Sequence, residues 1–388
     1  MLYSLIPISL LVLVTLLLGT VLRKSFSELF ASSLFSVMLI LYGSYIFDAL
    51  IVGRWIVIGL CVLMTAILGT LVLRDPSRRD ALAKQVKAPS FSFFLIAFAL
   101  YFVFAAGEFV NLWDSLRLWG AYPKVLHTTQ ALQLGEGSVL YPSMQSYPPG
   151  MPLLCYFFTS FSPVFSESTL FLTYSLFGLS MSLPLLEGVS GRSKKTQLWV
   201  FWGILFIPWF ISSVNDDFAQ YYSSLFIDLP LGICCGYTFF LAFRRFGSST
   251  LENIRFLLAC GCVALLKDSG SFIAVCCVAG ALVSCILRRR EIRFVKALLW
   301  LLASAAVMLF VWRSWGFLRD RSAIANHLQL GFTIPPISVL IRIAYRFLIT
   351  PASSPLLPSA ASPFPSPSLL SSSLPSSFCC AGTVKSSV

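Results

Sequence analysis

The chain is organised as long apolar runs that alternate with short polar connections. A helix needs about 20 predominantly apolar residues to cross the hydrocarbon core of a bilayer, so the pattern predicts an all-α protein, a polytopic transmembrane bundle of about 10 spans. The predicted spans are Leu2–Leu22, Leu29–Ile51, Trp55–Leu73, Phe91–Val110, Leu170–Gly188, Leu198–Val214, Leu225–Phe243, Leu251–Leu266, Ser271–Leu287 and Ala297–Val311. The first run lacks the basic start and the small-residue cleavage site of a signal peptide, and we expect it to be retained.

Every second connection carries a cluster of basic residues. The clusters are Arg23 and Lys24; Arg74, Arg78, Arg79, Lys84 and Lys87; Arg192, Lys194 and Lys195; Arg244, Arg245 and Arg255; and Arg288, Arg289, Arg290, Arg293 and Lys296. Short Lys- and Arg-rich loops stay in the cytoplasm, which fixes the orientation if Gly150–Phe161 does not cross. We therefore predict that Pro149–Phe161 is a half-embedded juxtamembrane helix in the outer interface, started by the breaker Pro-Pro-Gly.

The composition also indicates a membrane protein. Hydrophobic residues make up 57% of the 388 residues and charged residues only 11%, whereas soluble domains carry about 25% charged residues. This excludes a soluble enzyme or a nucleic-acid-binding protein, and we assign the net charge of +12 to the cytoplasmic loops. Most of the 11 cysteines lie in or beside apolar runs without metal-ligand spacing, which favours a packing role. Glycine-rich phosphate loops, HExxH, CxxC and GxSxG patterns are absent from the sequence.

The sequence divides into four parts. Residues 1–90 hold N-terminal spans and a basic cytoplasmic loop, and residues 91–312 hold a transmembrane core with a large external loop at 111–149. Residues 313–350 form an external loop that could hold a further partial span. The tail, 351–388, is rich in Ser and Pro and has no acidic residue, a composition that cannot pack as a core. Two interpretations of this tail remain: a mucin-like or linker segment, or the product of a shifted reading frame or mispredicted exon that replaces further spans.

The external loop Asn111–Pro149 holds the main candidates for chemistry. Asp114 directly follows a span, so its carboxylate is expected at the headgroup level, where partial desolvation would make it a better base. The alternative is a helix N-cap within the aromatic belt. Arg117, Lys124 and His127 would lie roughly on one side of a helix, where cations suit a phosphate. Snorkelling to lipid headgroups is the alternative for these cations.

Charged residues also occur in two later external segments. Asp217 follows Asp216 in a loop where carboxylates beside aromatics suit a sugar or a weakly held divalent cation, unless they are simply solvated. Asp228 lies just inside an apolar run, where a lone charge is expensive and therefore a functional candidate. Lys267 and Asp268 connect two short spans, either as an ion pair that closes a helical hairpin or with Lys267 facing the phosphate of a lipid carrier.

Five short motifs follow one another between Phe91 and Leu287. They are Leu112-Trp113-Asp114, Trp119-Gly120, Pro123-Lys124, Tyr147-Pro148-Pro149-Gly150 and Asp228-Leu229-Pro230-Leu231-Gly232. Their order and topology resemble the GT-C superfamily of polytopic glycosyltransferases, and most of all its bacterial branch that is similar to lipid-A and glycan glycosyltransferases. Ser115 and Leu118 depart from the pattern of that branch, in which an acid follows the catalytic Asp and a His stands a few residues on. This departure puts a shared metal site in doubt.

The resemblance implies transfer of a sugar from a polyprenyl- or dolichyl-phosphate carrier to a glycan, lipid or protein acceptor on the non-cytoplasmic face. It implies that Asp114 takes the proton of the acceptor hydroxyl or orients that hydroxyl, and that Lys267 and Arg117 hold the carrier phosphate. Substrate contacts are also expected from Lys124, Asp217, Asp228 and Asp268. No cofactor is assigned, with a divalent cation as the one candidate.

Two other functions remain alternatives to a glycosyltransferase. A multi-pass transporter or lipid flippase would place charges near the bilayer midplane and often contains repeats, whereas this sequence shows no convincing repeat and collects its polar residues at one face. A truncated, inactive relative of the GT-C superfamily is the other alternative. The expected partner in each case is the lipid bilayer and not a nucleic acid. The membrane would be the plasma membrane in a bacterium and the endoplasmic reticulum in a eukaryote.

Overall fold

The computed structural model of the chain describes residues 1–110, 115–135, 137–140, 142–189, 191–212 and 225–322. These residues belong to one unit, Met1–Leu328. They form helices, turns and loops, and none of the described residues lies in a β-strand. The predicted all-α fold is therefore confirmed for this part of the chain. Asp114, Asp217 and the tail 351–388 lie outside the described residues.

Helices follow one another with short connections. They are α1 (Leu5–Leu22, after a 3-10 turn at Leu2–Ser4), α2 (Phe26–Tyr45), α3 (Leu50–Arg74), α4 (Pro76–Val86), α5 (Pro89–Ala105), α6 (Ala121–Thr129), α7 (Pro142–Gln145), α8 (Gly150–Thr159), α9 (Glu167–Ser182), α10 (Pro184–Glu187), α11 (Lys194–Ser212), α12 (Asp228–Phe240), α13 (Thr250–Leu266), α14 (Asp268–Leu287) and α15 (Phe294–Arg321). A π-helical turn at Ser115–Trp119 precedes α6, and another at Leu241–Arg245 continues α12.

Local sequence signals explain several helix starts. The side chain of Ser25 accepts a hydrogen bond from the backbone N–H of Glu28 at the start of α2. Ser249 does the same for Glu252 at the start of α13. Both sites have the Ser-x-x-Glu spacing of a capping box, which satisfies backbone donors that a helix leaves unpaired at its first turn.

Six helices are long and apolar enough to cross a membrane, counting only the described residues. They are Leu2–Leu22, Phe26–Tyr45, Leu50–Arg74, Glu167–Glu187, Asp268–Leu287 and Phe294–Asp320. The pair α4 and α5, bent by 50° at its break, adds a seventh if the two count as one span. The chain is therefore a helical protein of membrane type, and this set is smaller than the ten spans that the sequence predicts.

The other predicted spans correspond to shorter or incompletely described helices. Helix α13 has 17 residues, and α12 has 13 before its π-helical continuation. The predicted span Leu198–Val214 ends outside the described residues. The predicted helix at Pro149–Phe161 is present as α8, whose ten residues are all buried. Helix α8 packs against α2, α6 and α9, so protein surrounds it.

The bundle has two chemically different ends. The first, called the basic end, holds the α1–α2 and α12–α13 connections, and Lys24 Nζ lies 3.3 Å from Glu252 Oε1 between them. The second, called the loop end, holds the described parts of the segment 106–166 and the α13–α14 turn. There Trp315 Nε1 of α15 donates to the carbonyl oxygen of Ser146 at 3.4 Å. Other contacts bring further basic clusters to the basic end: Arg245 Nη2 lies 3.2 Å from Glu28 Oε1, and Arg288 Nη1 donates to the carbonyl oxygen of Phe246 at 3.3 Å.

A network of charged side chains is buried at the basic end. Arg255 Nη1 donates to Glu252 Oε2 at 2.6 Å, and Arg255 Nη2 donates to the Tyr237 hydroxyl at 3.0 Å. Lys24, Arg245 and Glu28 extend the network. The sequence pattern groups Arg255 with the loop cations. In the structure Arg255 belongs to α13, and its side chain is buried. Its carboxylate and phenol partners make this burial tolerable, since buried charges need hydrogen-bonded partners.

Candidate functional site

Two ion pairs lie side by side at the loop end. Lys267 Nζ donates to Asp228 Oδ1 at 2.6 Å, and Arg319 Nη1 donates to Asp268 Oδ2 at 3.3 Å. Because Lys267 and Asp268 are consecutive, the four side chains form a single group of two carboxylates, one ammonium and one guanidinium. We call this group the loop-end cluster. It joins the first residues of α12 and α14 to the last turns of α15.

A tight turn between α13 and α14 positions Lys267. Helix α13 ends at Leu266, Lys267 has an extended backbone (φ −159°, ψ 156°), and α14 begins at the next residue. The backbone N–H of Gly270 donates to the carbonyl oxygen of Lys267 at 2.8 Å. A Cβ at Gly270 would collide with the carbonyl oxygen of Val263, so glycine is needed for the close approach of the two helices. The turn therefore holds the Lys267 side chain at the tip of a closely packed helical hairpin.

The two carboxylates of the loop-end cluster each belong to the first turn of a helix. Asp228 is the first residue of α12 and Asp268 the first of α14. Acidic side chains are favourable at this position, because a helix N-terminus carries a partial positive charge. The sequence predicts that Asp228 is a costly lone charge inside an apolar helix. In the structure it has Lys267 as a partner, and its side chain is 71% exposed, so its cost is small.

The cluster is accessible to a ligand. The side chains of Asp268, Lys267 and Arg319 are 40%, 27% and 21% exposed. Ammonium and guanidinium groups bind phosphate oxygens, and carboxylates accept hydrogen bonds from sugar hydroxyls. A ligand with both kinds of group could therefore replace part of the internal pairing. No three His, Cys, Asp or Glu side chains come together as metal ligands in the described part of the chain.

The structure brings together three of the residues that the sequence predicts for substrate binding, namely Asp228, Lys267 and Asp268. Lys124 lies exposed on α6. Arg117 lies in the π-helical turn Ser115–Trp119, and its side chain is outside the described part, as are Asp114 and Asp217. The sequence analysis gives an ion pair between Lys267 and Asp268 as one interpretation. In the structure each of the two residues pairs with another helix instead, Lys267 with Asp228 and Asp268 with Arg319.

Arg319 is the member of the loop-end cluster that the sequence analysis misses. The predicted last span ends at Val311, which leaves Arg319 in a loop. Helix α15 continues to Arg321 and carries Arg319 to the start of α14. A signal for the longer helix was present in the sequence. Beyond Val311, apolar residues recur at the three-residue spacing of a helix face, at Trp312, Trp315 and Leu318.

A second polar group, next to α6, ties the segment before α8 to the bundle. The hydroxyls of Tyr45 and Tyr122 lie 3.0 Å apart, and the N–H of Gln133 donates to Tyr45 at 3.0 Å.

Burial lowers the pKa of His127, and the positive charge of Arg54 lowers it further. Nδ1 of His127 has no hydrogen-bond partner among the described residues. His127 is therefore expected to be neutral at pH 7.

An apolar groove runs along α12 from Leu229, the residue after Asp228, toward the basic end. One face of α12 lines it, formed by Leu229, Ile233, Gly236, Tyr237 and Phe240. Side chains from α9, α10 and α11 form the other wall, and the cavity has a volume of ≈ 270 Å³. Leu229 is the residue after Asp228, so the groove and the charged cluster share the first turn of α12. Together they present a polar site with an apolar channel leading away from it.

No family model, no curated protein and no solved structure matches this chain.

Proposed function

We propose that this protein is a membrane glycosyltransferase that takes its sugar from a polyprenyl-phosphate carrier. The observation that carries the proposal is the juxtaposition of the loop-end cluster with the apolar groove of α12. A lipid-linked sugar phosphate has the same two-part chemistry, a charged and hydroxylated head joined to a hydrocarbon chain. The GT-C-like order of motifs in the sequence supports the same reading.

The carrier binds with its phosphate at the cations and its chain along α12. Lys267 and Arg319 each exchange part of their contact with Asp228 and Asp268 for the phosphate oxygens. The groove face from Leu229 to Phe240 follows α12 for about 16 Å at 1.5 Å per residue. It therefore holds the first part of the chain, and the remainder lies in the bilayer.

The protein has ten spans in this proposal, with the basic end in the cytoplasm. The gathering of Lys- and Arg-rich connections at one end supports that orientation. Helices α12 and α13 then serve as short spans, and α8 remains a half-embedded helix beneath the external loop. The loop-end cluster faces the non-cytoplasmic side, where lipid-linked sugars meet their acceptors.

Asp114 acts as the catalytic base in this proposal. The acceptor oxygen attacks the anomeric carbon of the sugar and forms the new glycosidic bond, while its proton passes to Asp114. The bond between the anomeric carbon and the phosphate oxygen breaks, and the electron pair leaves on the polyprenyl phosphate. Lys267, with Arg117, stabilises that departing charge, which is the largest electrostatic demand of the reaction. Lys124 and Asp217 contact the substrates.

The test is transfer of label from a radiolabelled polyprenyl-phosphate sugar in membranes that contain the full chain. Asp114→Asn is expected to abolish transfer, because it removes the base. Lys267→Gln is expected to lower transfer at least about tenfold, the effect of losing one charge-assisted contact in the transition state. Lys87→Gln, an exposed basic-end change of the same kind, is the matched control and is expected to leave transfer unchanged.

Three outcomes would contradict the proposal. Full transfer by the Asp114→Asn protein would remove Asp114 as the base. Equal losses in the Lys267→Gln and Lys87→Gln proteins would show that the loop-end cluster has no special role. Absence of transfer by the correctly inserted wild-type protein with a panel of donors would reject the glycosyltransferase activity itself.

A further inference from the structure

A polar cleft of ≈ 670 Å³ lies at the basic end, between the start of α13 and the connection from α14 to α15. We call it the basic cleft. Its charged and hydroxylated lining includes Arg288, Arg293, Lys296, Ser248, Ser249 and Thr250. These side chains supply hydrogen-bond donors with positive charge, the combination that binds a phosphate group.

The positive charge of the basic cleft is incompletely balanced by the protein. Glu291 is the one acid in the described lining, and it lies 3.6 Å from Arg288 with its side chain 72% exposed. Lys296 Nζ donates to the neutral Thr250 Oγ1 at 3.1 Å. Neither Arg293 nor Lys296 forms an ion pair with a described residue. An anion in the cleft would therefore meet two cations that have no carboxylate partner among the described residues.

The positions of these cations add to the imbalance. Arg293 is the N-cap residue of α15 and Lys296 is in its first turn, and that turn contains no acidic residue. A helix N-terminus already carries a partial positive charge, so cations there are unfavourable on their own. An anion between the starts of α13 and α15 would relieve this repulsion.

Exposed apolar surface flanks the basic cleft on both sides. Leu287, at the end of α14, is 78% exposed, and Val295, at the start of α15, is 72% exposed. Both helices are long and apolar enough to cross a membrane. In a bilayer these side chains would touch acyl chains, which places the cleft at the level of the lipid headgroups. A phosphate that reaches the cleft from within the leaflet could keep its acyl chains on this apolar surface.

We propose that the basic cleft is a binding site for the phosphate of an anionic phospholipid from the surrounding leaflet. Arg293 and Lys296 hold the phosphate, the hydroxyls of Ser249 and Thr250 donate to its oxygens, and the acyl chains lie along the exposed faces of α14 and α15. Basic pockets between helices on the cytoplasmic side of a membrane suit such headgroups. This site is distinct from the proposed transfer of sugar at the loop end and does not depend on it.

The experiment is native mass spectrometry of the full-length, detergent-purified protein titrated with dioleoyl-phosphatidylglycerol or dioleoyl-phosphatidylcholine. We expect saturable binding of the anionic lipid in preference to the zwitterionic one. The double variant R293Q/K296Q should bind the anionic lipid about 30-fold more weakly, the loss expected for two basic contacts with an anionic headgroup. The double variant R79Q/K195Q removes the same charge from exposed positions at the same end and should bind like the wild type.

Each other result counts against the proposal. Equal binding of both lipids would show that the charge of the headgroup is not recognised. Equal losses in the two double variants would reduce the effect to general attraction by the basic end. Displacement of the anionic lipid by excess inorganic phosphate would identify a site for free phosphate instead. Circular dichroism and size-exclusion chromatography of the R293Q/K296Q protein distinguish loss of binding from loss of folding.

Discussion

Arg255–Glu252 and Lys267–Asp228 are salt bridges of the same length, 2.6 Å, in opposite ends of the molecule. The side chains of the first pair are 1% and 2% exposed, and those of the second are 27% and 71% exposed. The first pair has the Tyr237 hydroxyl as a third partner and Lys24 beside it. The second is open to the solvent, and Leu229, the first residue of the groove along α12, directly follows Asp228. The two pairs therefore have the same contact distance but different surroundings: protein encloses the first, and solvent reaches the second.

Burial decides which purpose a pair can serve. Removing one partner of a buried pair leaves an uncompensated charge and typically costs about 3–5 kcal/mol. An exposed pair contributes about 0–1 kcal/mol, because water and salt screen it. The basic end thus uses charges to fix the packing of α2, α12 and α13. The loop end keeps its charges exchangeable, which is the property that a binding site requires.

The largest expected effect comes from breaking the buried pair. Glu252→Gln should lower the free energy of unfolding by about 3–5 kcal/mol, since Arg255 would keep its charge without a carboxylate. Asp228→Asn, at the exposed pair, should cost at most about 1 kcal/mol. Denaturant unfolding of both detergent-solubilised proteins measures the difference. Similar losses of unfolding free energy in the two variants would show that burial does not distinguish the two pairs. The double variant Glu252→Leu with Arg255→Met should recover much of the loss, because it removes both charges of the buried pair, while Lys24 keeps Glu28 at 3.9 Å.

An intermediate effect is expected at the turn that carries Lys267. Gly270→Ala should destabilise the protein by about 1–3 kcal/mol, because the added methyl group overlaps the carbonyl oxygen of Val263. Gly316→Ala is the matched control, since a Cβ at Gly316 on α15 meets nothing within 4 Å. Thermal unfolding of the two variants measures this. Equal stability would mean that α13 and α14 are not closely packed at the turn, and Lys267 would then lack its rigid support.

The smallest effect concerns the pH dependence of stability at His127. Its pKa is lowered in the folded protein, so below its ordinary value of about 6.5 the unfolded state takes up a proton that the folded state does not. Stability should therefore fall as the pH drops from 7.5 toward 5, and less so in His127→Gln. His327→Gln removes the other histidine of the chain and serves as the control. Parallel pH profiles for wild type and His127→Gln would show that His127 is not held neutral by the fold.

The sequence predicted the helices well where an apolar run was long. The spans at Leu2–Leu22 and Trp55–Leu73 correspond to α1 and α3, because run length and hydropathy are properties of neighbouring residues. The short helix α8 was also predicted, from the Pro-Pro-Gly breaker and from the loop charges. The extent of α15 was underestimated, because its charged residues at both ends weaken the apolar pattern while the helix continues.

The pairing of charges could not be read from the sequence. Lys267 and Asp228 are 39 residues apart, and Arg319 is 51 residues from Asp268. Which of several charges at the loop end meet depends on how α12, α14 and α15 pack, and packing is a tertiary property. Arg255 shows the same limit, because a basic residue near the start of an apolar run has the same local pattern whether it is exposed or buried. Glu252, its partner three residues earlier, was the only nearby hint.

The burial of α8 has a consequence for biogenesis. A Cβ at Gly150 would lie 2.5 Å from the carbonyl oxygen of Leu265, so the start of α8 rests directly on the last turn of α13. Ribosomes add residues at about 5–20 per second, so α8 leaves the ribosome on the order of 10 s before that support is made. A ten-residue apolar helix is too short to span the bilayer by itself. During this interval α8 can already contact α2 and α6, which precede it in the chain, and α9, which follows it, so the contact with α13 is the last of its packing contacts to form.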